Sequence, residues 1–182
     1  MNDLPEFPAF PKIPRLSREC TITEKIDGTN GVIRIGEDGV MLVGSRTRWI
    51  TPEDDNYGFA KWCHGNRDDL LALGSGTHYG EWWGDGIQKR YPGFPRRFSL
   101  FNTKRWGDPA VRPACCDVVP VLYQGLFDGV CVADALSRLA AGGSVAAPGC
   151  MRPEGIVIWH DAARTYFKKT MERDEEWKGK TQ

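Results

Sequence analysis

Residues 23–31, Thr-Glu-Lys-Ile-Asp-Gly-Thr-Asn-Gly, constrain this chain more than any other stretch. A β-prone run from Cys20 to Thr23 leads into them, Asp27-Gly28 supplies turn chemistry, and a second β-prone run starts at Val32-Ile33-Arg34-Ile35. Lys25 is therefore expected at a rim, just ahead of a turn. An amine there becomes a nucleophile once desolvation or neighbouring charge helps it shed its proton. A solvated hairpin lysine is the plain alternative.

Val32–Ile35 and Val40–Gly44 flank Gly36-Glu-Asp-Gly39, which reads as a hairpin turn. The second of these strands ends in Ser45-Arg46-Thr47-Arg48, an arginine pair open to two readings, a solvated strand end or a phosphate contact. Thr51-Pro52-Glu53-Asp54 has the chemistry of a helix start, and Asn66 to Leu73 reads as a second short helix stopped by Gly74. His64, between them, has no partner at metal-ligand spacing. Thr77 to Trp83 is β-prone and carries Glu81, an acid that needs a partner if buried.

The segment from Ile87 to Trp106 concentrates positive charge (Lys89, Arg90, Arg96, Arg97, Lys104, Arg105) among Tyr91, Phe94, Phe98, Phe101 and Trp106. Cations hold phosphates and rings stack on bases, so this is the expected nucleic-acid track; a loop beside a core strand is the alternative. Strand alternation sets Phe98 and Leu100 on one face and Phe101 on the other. Cys116 to Tyr123 reads as one strand with an edge or bulge at Pro120, and Asp128 to Gly143 as a capped helix with Val132, Ala135, Leu136, Leu139 and Ala140 as its apolar stripe. Gly155 lets backbone approach a ligand, ahead of a buried strand at Ile156-Val157-Ile158. In the last strand, Arg164 to Met171, Lys168 and Lys169 point to opposite faces. Residues 1–19, with Pro5, Pro8, Pro11 and Pro14 among Phe7, Phe10 and Ile13, read as an extended arm whose aromatics dock on the body. The charged tail, residues 172–182, reads as an exposed helix or frayed end.

Five stretches stand in an informative order: Glu24-Lys25-Ile26-Asp27-Gly28-Thr29-Asn30, Tyr79-Gly80-Glu81-Trp82, Phe98-Ser99-Leu100-Phe101, Glu154-Gly155-Ile156-Val157-Ile158 and Tyr166-Phe167-Lys168-Lys169. Together they resemble the motif series of the covalent nucleotidyltransferase superfamily, the ATP-dependent polynucleotide ligases and capping enzymes. The likeness is closest to the phage-type RNA ligases, because Asn30 stands where DNA ligases usually carry arginine. Two departures are visible: Asn102 replaces the usual acid after the second aromatic, and the two terminal lysines are adjacent instead of one residue apart.

The resemblance implies an α+β fold, an adenylyltransferase (ATP-grasp-like ligase catalytic) domain of antiparallel sheets around a nucleotide cleft, with flanking helices and no OB domain. It implies that Lys25 attacks ATP to form lysyl-AMP, with Arg46 and Lys168 assisting, and that RNA 5′-phosphate and 3′-hydroxyl ends are then sealed, DNA strands being further candidates. Nucleotide contacts fall to Glu24, Lys25, Asn30, Arg46, Glu81, Phe98, Glu154, Lys168 and Lys169. Among these, Glu81 takes the ribose and Phe98 the base, with Phe101 in the core or the reverse; Glu154 holds Mg2+ or Mn2+. A GTP-using capping-type guanylyltransferase and a catalytically silent nucleotide- or RNA-binding module are the competing functions.

Composition narrows the rest. With 182 residues and 41% hydrophobic content, one domain spanning 1–182 is expected. A net charge of zero and pI near 6.8 exclude a globally basic polyanion binder, so any nucleic-acid contact is a local patch. Six scattered cysteines show neither zinc-site nor disulfide-framework spacing. With no signal peptide or membrane-length apolar run, a cytoplasmic protein is expected, served by an accessory domain or partner protein if substrate binding needs one.

Overall fold

Short β-prone runs punctuated by glycine and proline cannot build long helices. In the computed structural model, which describes residues 5–88, 90–172 and 174, they form two sheets with short helices packed against them, a mixed α+β fold. The strands are β1 (Glu19–Lys25), β2 (Thr29–Ile35), β3 (Met41–Gly44), β4 (Trp49–Ile50), β5 (Gly76–Trp83), β6 (Arg97–Leu100), β7 (Cys116–Val118), β8 (Val121–Leu126), β9 (Gly155–His160) and β10 (Thr165–Thr170). One sheet has the order β10-β9-β1-β8 and the other β4-β3-β2-β5-β6-β7. Pairing is antiparallel except between β6 and β7, which run parallel. That exception to the expected antiparallel sheets follows from the long connection between them, through α3 (Thr103–Trp106), which brings the chain back in the same direction.

Two short turns carry the chain from sheet to sheet, and neither change of sheet was expected. Asp27-Gly28 does not close a hairpin; β1 lies in the four-stranded sheet and β2 in the six-stranded one. Gly28 is needed there for space, since a Cβ would lie 2.5 Å from the Trp82 carbonyl oxygen and 2.8 Å from Trp83 Cβ. Likewise the single strand expected over 116–123 is two strands in different sheets, parted at Val119-Pro120, where proline lacks the N–H that would continue a ladder.

The helix expected to start at Thr51 begins instead at Phe59, as α1 (Phe59–Gly65). The Thr51 hydroxyl accepts the Asp54 N–H and so closes a local turn, while Asp55 accepts the N–H groups of Ala60 and Lys61 at the true helix start. The second helix matches its expected limits: α2 (Arg67–Leu70) tightens into a 3-10 turn and stops at Gly74, φ 76°. Phe59, Ala60, Cys63, Leu70 and Leu73 cover one face of the six-stranded sheet, against Ile33, Val43, Trp82, Phe98 and Leu100. The Phe59 ring lies 4.9 Å from Phe98 and 5.5 Å from Trp82, and each such buried side chain contributes on the order of 1.5–3 kcal/mol.

The third expected helix is α4 (Gly129–Gly142), whose N-terminal amides at Val130 and Cys131 donate to Asp128 Oδ1. Its buried residues Cys131, Ala135 and Leu139 pack on Cys20, Ile22, Ile156 and Ile158 of the four-stranded sheet, whereas Ala140 is exposed. A third cluster, Ile26, Trp83, Tyr91, Val119 and Ala147, joins the two halves.

The arm does not dock its aromatics: Phe7, Phe10 and Ile13 are 85%, 80% and 79% exposed. Proline at every third position removes the donors that would pair the arm to a sheet edge. Its first anchor is the Leu16 carbonyl, 2.7 Å from His160 Nε2. Residues 1–4 of the arm, and the tail apart from Glu172 and Asp174, lie outside the described residues. All six cysteines are free thiols, and among the described residues no helix is long and apolar enough to cross a membrane.

Candidate active site

Register brings the first two charged groups together. Lys25 ends β1 directly opposite Gly155, the first residue of β9, so the residue before that glycine, Glu154, stands beside the lysine. Lys25 Nζ donates to Glu154 Oε2 at 2.5 Å, with both side chains partly buried. Gly155 itself is needed for the strand packing: its φ is 153° and a Cβ would lie 2.2 Å from the Lys169 carbonyl oxygen of β10.

The six-stranded sheet supplies the third charge. Asn30 of β2 and Glu81 of β5 face each other across the ladder, and Asn30 Nδ2 donates to Glu81 Oε2 at 3.2 Å. Burial raises the Glu81 pKa to about 7; the Lys25 ammonium opposes this, the Glu154 carboxylate adds to it, and a backbone hydrogen bond from Gly28 opposes it. Glu81 therefore feels both members of the lysine pair and changes charge near neutrality.

Arg90 was visible in the sequence only as one of many cations, and its position sets it apart from the others. Its Nε lies 3.2 Å from Asp27 Oδ2, its Nη1 donates to the carbonyls of Arg152 at 3.0 Å and Pro153 at 3.5 Å, and its Nη2 is 4.0 Å from Glu172. One guanidinium thus ties the turn after Lys25 to the residues before Glu154 and to the end of β10. Tyr91 adds to the clamp, its hydroxyl accepting the Asp27 N–H at 3.3 Å. No sequence signal separates Arg90 from Arg96 or Arg97, because the carbonyls it meets are remote in the chain.

The other expected residues fall into two groups. Lys168 pairs with Val157, which pairs with Thr23, so Lys168 shares the sheet face of Lys25. Arg46 is exposed at the tip of the β3–β4 turn, which the Val32–Gly44 register directs toward the Asn30 end of β2.

Lys169, Glu24 and Phe98 lie elsewhere. Lys169 pairs with Ile156, on the opposite face from Lys168, and its Nζ donates to Asp174 at 2.8 Å. Glu24 also points away from Lys25 by strand alternation. It is buried, and the amides of Val145 and Ala146 donate to its Oε2 at 2.8 and 2.9 Å. Burial raises its pKa against the opposing pull of the Ser144 hydroxyl and these two amides, and Oε1 has no hydrogen-bond partner among the described residues. Phe98 corrects an expectation: at 0% exposure it lies in the core with Phe59 and Trp62, on the sheet face opposite Glu81. Phe101 is the half-buried ring, packed with the cluster of Ile26, Trp83 and Tyr91.

The basic segment is not an open track either. Tyr91, Phe98 and Trp106 are buried, Arg96 donates to the Asp85 and Tyr57 carbonyls, Arg97 pairs with Asp117, and Arg105 lies 4.4 Å over Trp106 and donates to the Leu73 carbonyl. Lys89 lies outside the described residues. Asn102, the departure from the expected acid, is a helix cap, its Oδ1 accepting the Arg105 N–H at the start of α3.

Comparison with known proteins bears on the family and the fold. The model of the family described as RNA ligase matches residues 18–172. No curated protein matches. The chain is similar to solved structures of the Naegleria gruberi RNA ligase. A point variant with ATP and Mn superposes with a TM-score of 0.60 at 17% identity, covering 86% of this chain and 51% of that one. Another with AMP and Mn gives 0.58 at 16% identity, covering 91% and 56%, and the ligase with PPi gives 0.55 at 17%, covering 92% and 57%. The likeness is one of fold, and the chain spans about half the length of these relatives.

Proposed function

We propose, because this chain belongs to the RNA ligase family, that it is an ATP-dependent RNA ligase working through a covalent lysyl-AMP on Lys25. The observation that carries the reading is the 2.5 Å contact of Lys25 Nζ with Glu154 Oε2, beside the buried Glu81 carboxylate that feels both. The Nζ lone pair attacks the α-phosphorus of ATP. The N–P bond forms, the bond from that phosphorus to its bridging oxygen breaks, and pyrophosphate leaves in line. Glu154 Oε2, already holding an N–H of the lysine, accepts the proton that must leave.

Ionised Glu81 accepts hydrogen bonds from the ribose hydroxyls, with Asn30 holding its orientation. Lys168 meets the α-phosphate, Arg46 the phosphate chain, and Phe101 takes the base-stacking role. The body, arm and tail act as one nucleotidyltransferase domain around a nucleotide cleft. In the later steps an RNA 5′-phosphate oxygen displaces Lys25 from the AMP phosphorus. A 3′-hydroxyl then attacks the 5′-phosphate and releases AMP.

Among the described residues no cluster of three or more His, Cys, Asp or Glu side chains could hold a metal by itself. A hard cation arriving with triphosphate needs only one or two carboxylates, and Glu154 near Glu81 fits that requirement. When bound, Mg2+ or Mn2+ would neutralise the charge that develops on the phosphates. The donor nucleotide follows the Naegleria gruberi ligase structures that hold ATP or AMP with Mn. Incubation with radiolabelled ATP and, separately, GTP tests the reading: ATP alone is expected to label the protein. Labelling by GTP alone indicates a capping-type enzyme, and labelling by neither indicates a silent binding module.

A further inference from the structure

The sheet face that presents Glu81 and Asn30 continues outward as a surface with a different composition. Register places Trp49, Gly44, Val32 and Tyr79 in one cross-strand row on that face, next to the Asn30–Glu81 row. Trp49 is 54% exposed and Tyr79 56%. The indole lies over Gly44, whose missing side chain leaves room for it: a Cβ there would be 3.1 Å from the ring. The next row holds Leu42 and Arg34, and Arg34 is exposed with no hydrogen bond or ion pair among the described residues. The shelf spans three interstrand spacings, about 14 Å, and starts one pleat from Glu81. Two exposed rings with an arginine make an unusual outer face for a sheet whose opposite face is fully packed.

We infer that this shelf binds the single-stranded end of the RNA substrate, with bases stacked on Trp49 and Tyr79 and a phosphate held by Arg34. The inference rests on the ligase reading for the identity of its occupant. Three observations favour RNA over a protein partner. The rings stand at the two ends of a row whose middle positions are Gly44, covered by the indole, and Val32, so no bulky side chain rises between them, which suits flat bases better than interlocking side chains. A cation, Arg34, flanks the rings on the outer side, and the acids nearest it in the sequence, Glu37 and Asp38, follow β2 in the turn to β3. The surface also runs without a break into the row that carries Glu81, so a strand lying on it would deliver its end to Lys25. The shelf does what the basic segment cannot, since that segment has Tyr91, Phe98 and Trp106 buried and most of its arginines bonded to protein.

The test is a fluorescence anisotropy titration of the whole chain with a short 5′-phosphorylated, 3′-fluorescein-labelled oligoribonucleotide. The Trp49→Ala/Tyr79→Ala double variant is expected to lose at least about fivefold in affinity per ring. Trp49→Phe/Tyr79→Phe, which keeps a stacking face, is expected to recover most of it. Arg34→Ala is expected to lower the salt slope of binding by about one phosphate contact. Wild-type affinity in the alanine double variant overturns the proposal. So does a change in its oligomeric state by light scattering, which would make the shelf a face between protein chains. If the wild type takes up no AMP from ATP, the ligase reading fails, while the RNA titration still decides the shelf.

Discussion

The two sheets contribute to the site in different ways. The four-stranded sheet offers Lys25 and Glu154 at partly open strand ends and Lys168 on an exposed strand, where a charge can trade a protein partner for a ligand. The six-stranded sheet offers Asn30, half-buried, and Glu81, a buried carboxylate that has lost most of its contact with water. A nucleophile needs access and a changing partner; a carboxylate that fixes a ribose needs rigidity. The difference shows how one cluster can set a buried acid with a raised pKa beside a partly open lysine–glutamate pair. Arg90 is the joint within the open side, because it holds the turn after Lys25 and the carbonyls before Glu154.

The sharpest way to break the comparison is at the core of the six-stranded sheet. Phe98→Ala is expected to cost about 3–5 kcal/mol in stability by urea denaturation, as for a large buried ring. A small loss there would mean that the ring serves a ligand. On the open side, Glu154→Gln keeps the shape and removes the charge. It is expected to slow lysyl-AMP formation by roughly 100-fold in single-turnover assays while the protein melts near the wild-type temperature.

The pH dependence separates the two sides further. The folded pKa of Glu81, about 7, lies above its ordinary 4.5, so the folded chain keeps a proton that the unfolded chain releases between those values. Stability is then fullest below about 4.5 and declines as pH climbs through 7, a loss that Glu81→Gln removes. At pH 8 the variant is expected to be more stable than the wild type, by roughly 3 kcal/mol at most. ATP affinity of the wild type should strengthen over the same rise, as Glu81 ionises to accept the ribose hydroxyls, and the variant should show no such rise. The smallest effect is expected at the joint. Arg90→Lys keeps the charge but cannot reach Asp27 and both carbonyls, and should slow lysyl-AMP formation by about tenfold with little change in KM for ATP.

What could be read from the chain followed its local patterns. The strands around Lys25 and Glu81, the helix capped by Asp128 and the final lysine strand all have alternation, turn or capping signals, and the order of their charged residues pointed to the family. Other features depend on contacts between distant residues. Alternation set Phe98 and Phe101 on opposite faces but could not say which face the helices would cover. Pro120 marked a break without showing that the chain changes sheets there. Thr51-Pro52 carried a helix-start signal that the Thr51 hydroxyl spends on a local turn instead. The rings of residues 91–106 were exposed or buried according to partners from other segments, so an apparent nucleic-acid track became part of the packed body.

The central claim is a bond between Lys25 Nζ and the phosphorus of AMP. Intact-mass measurement of the wild type and of Lys25→Ala after incubation with ATP and Mg2+ tests it directly. A gain of one AMP is predicted on the wild type, mapped to the peptide that contains Lys25, and none on the variant; an equal gain on both, or no gain on the wild type, would contradict it.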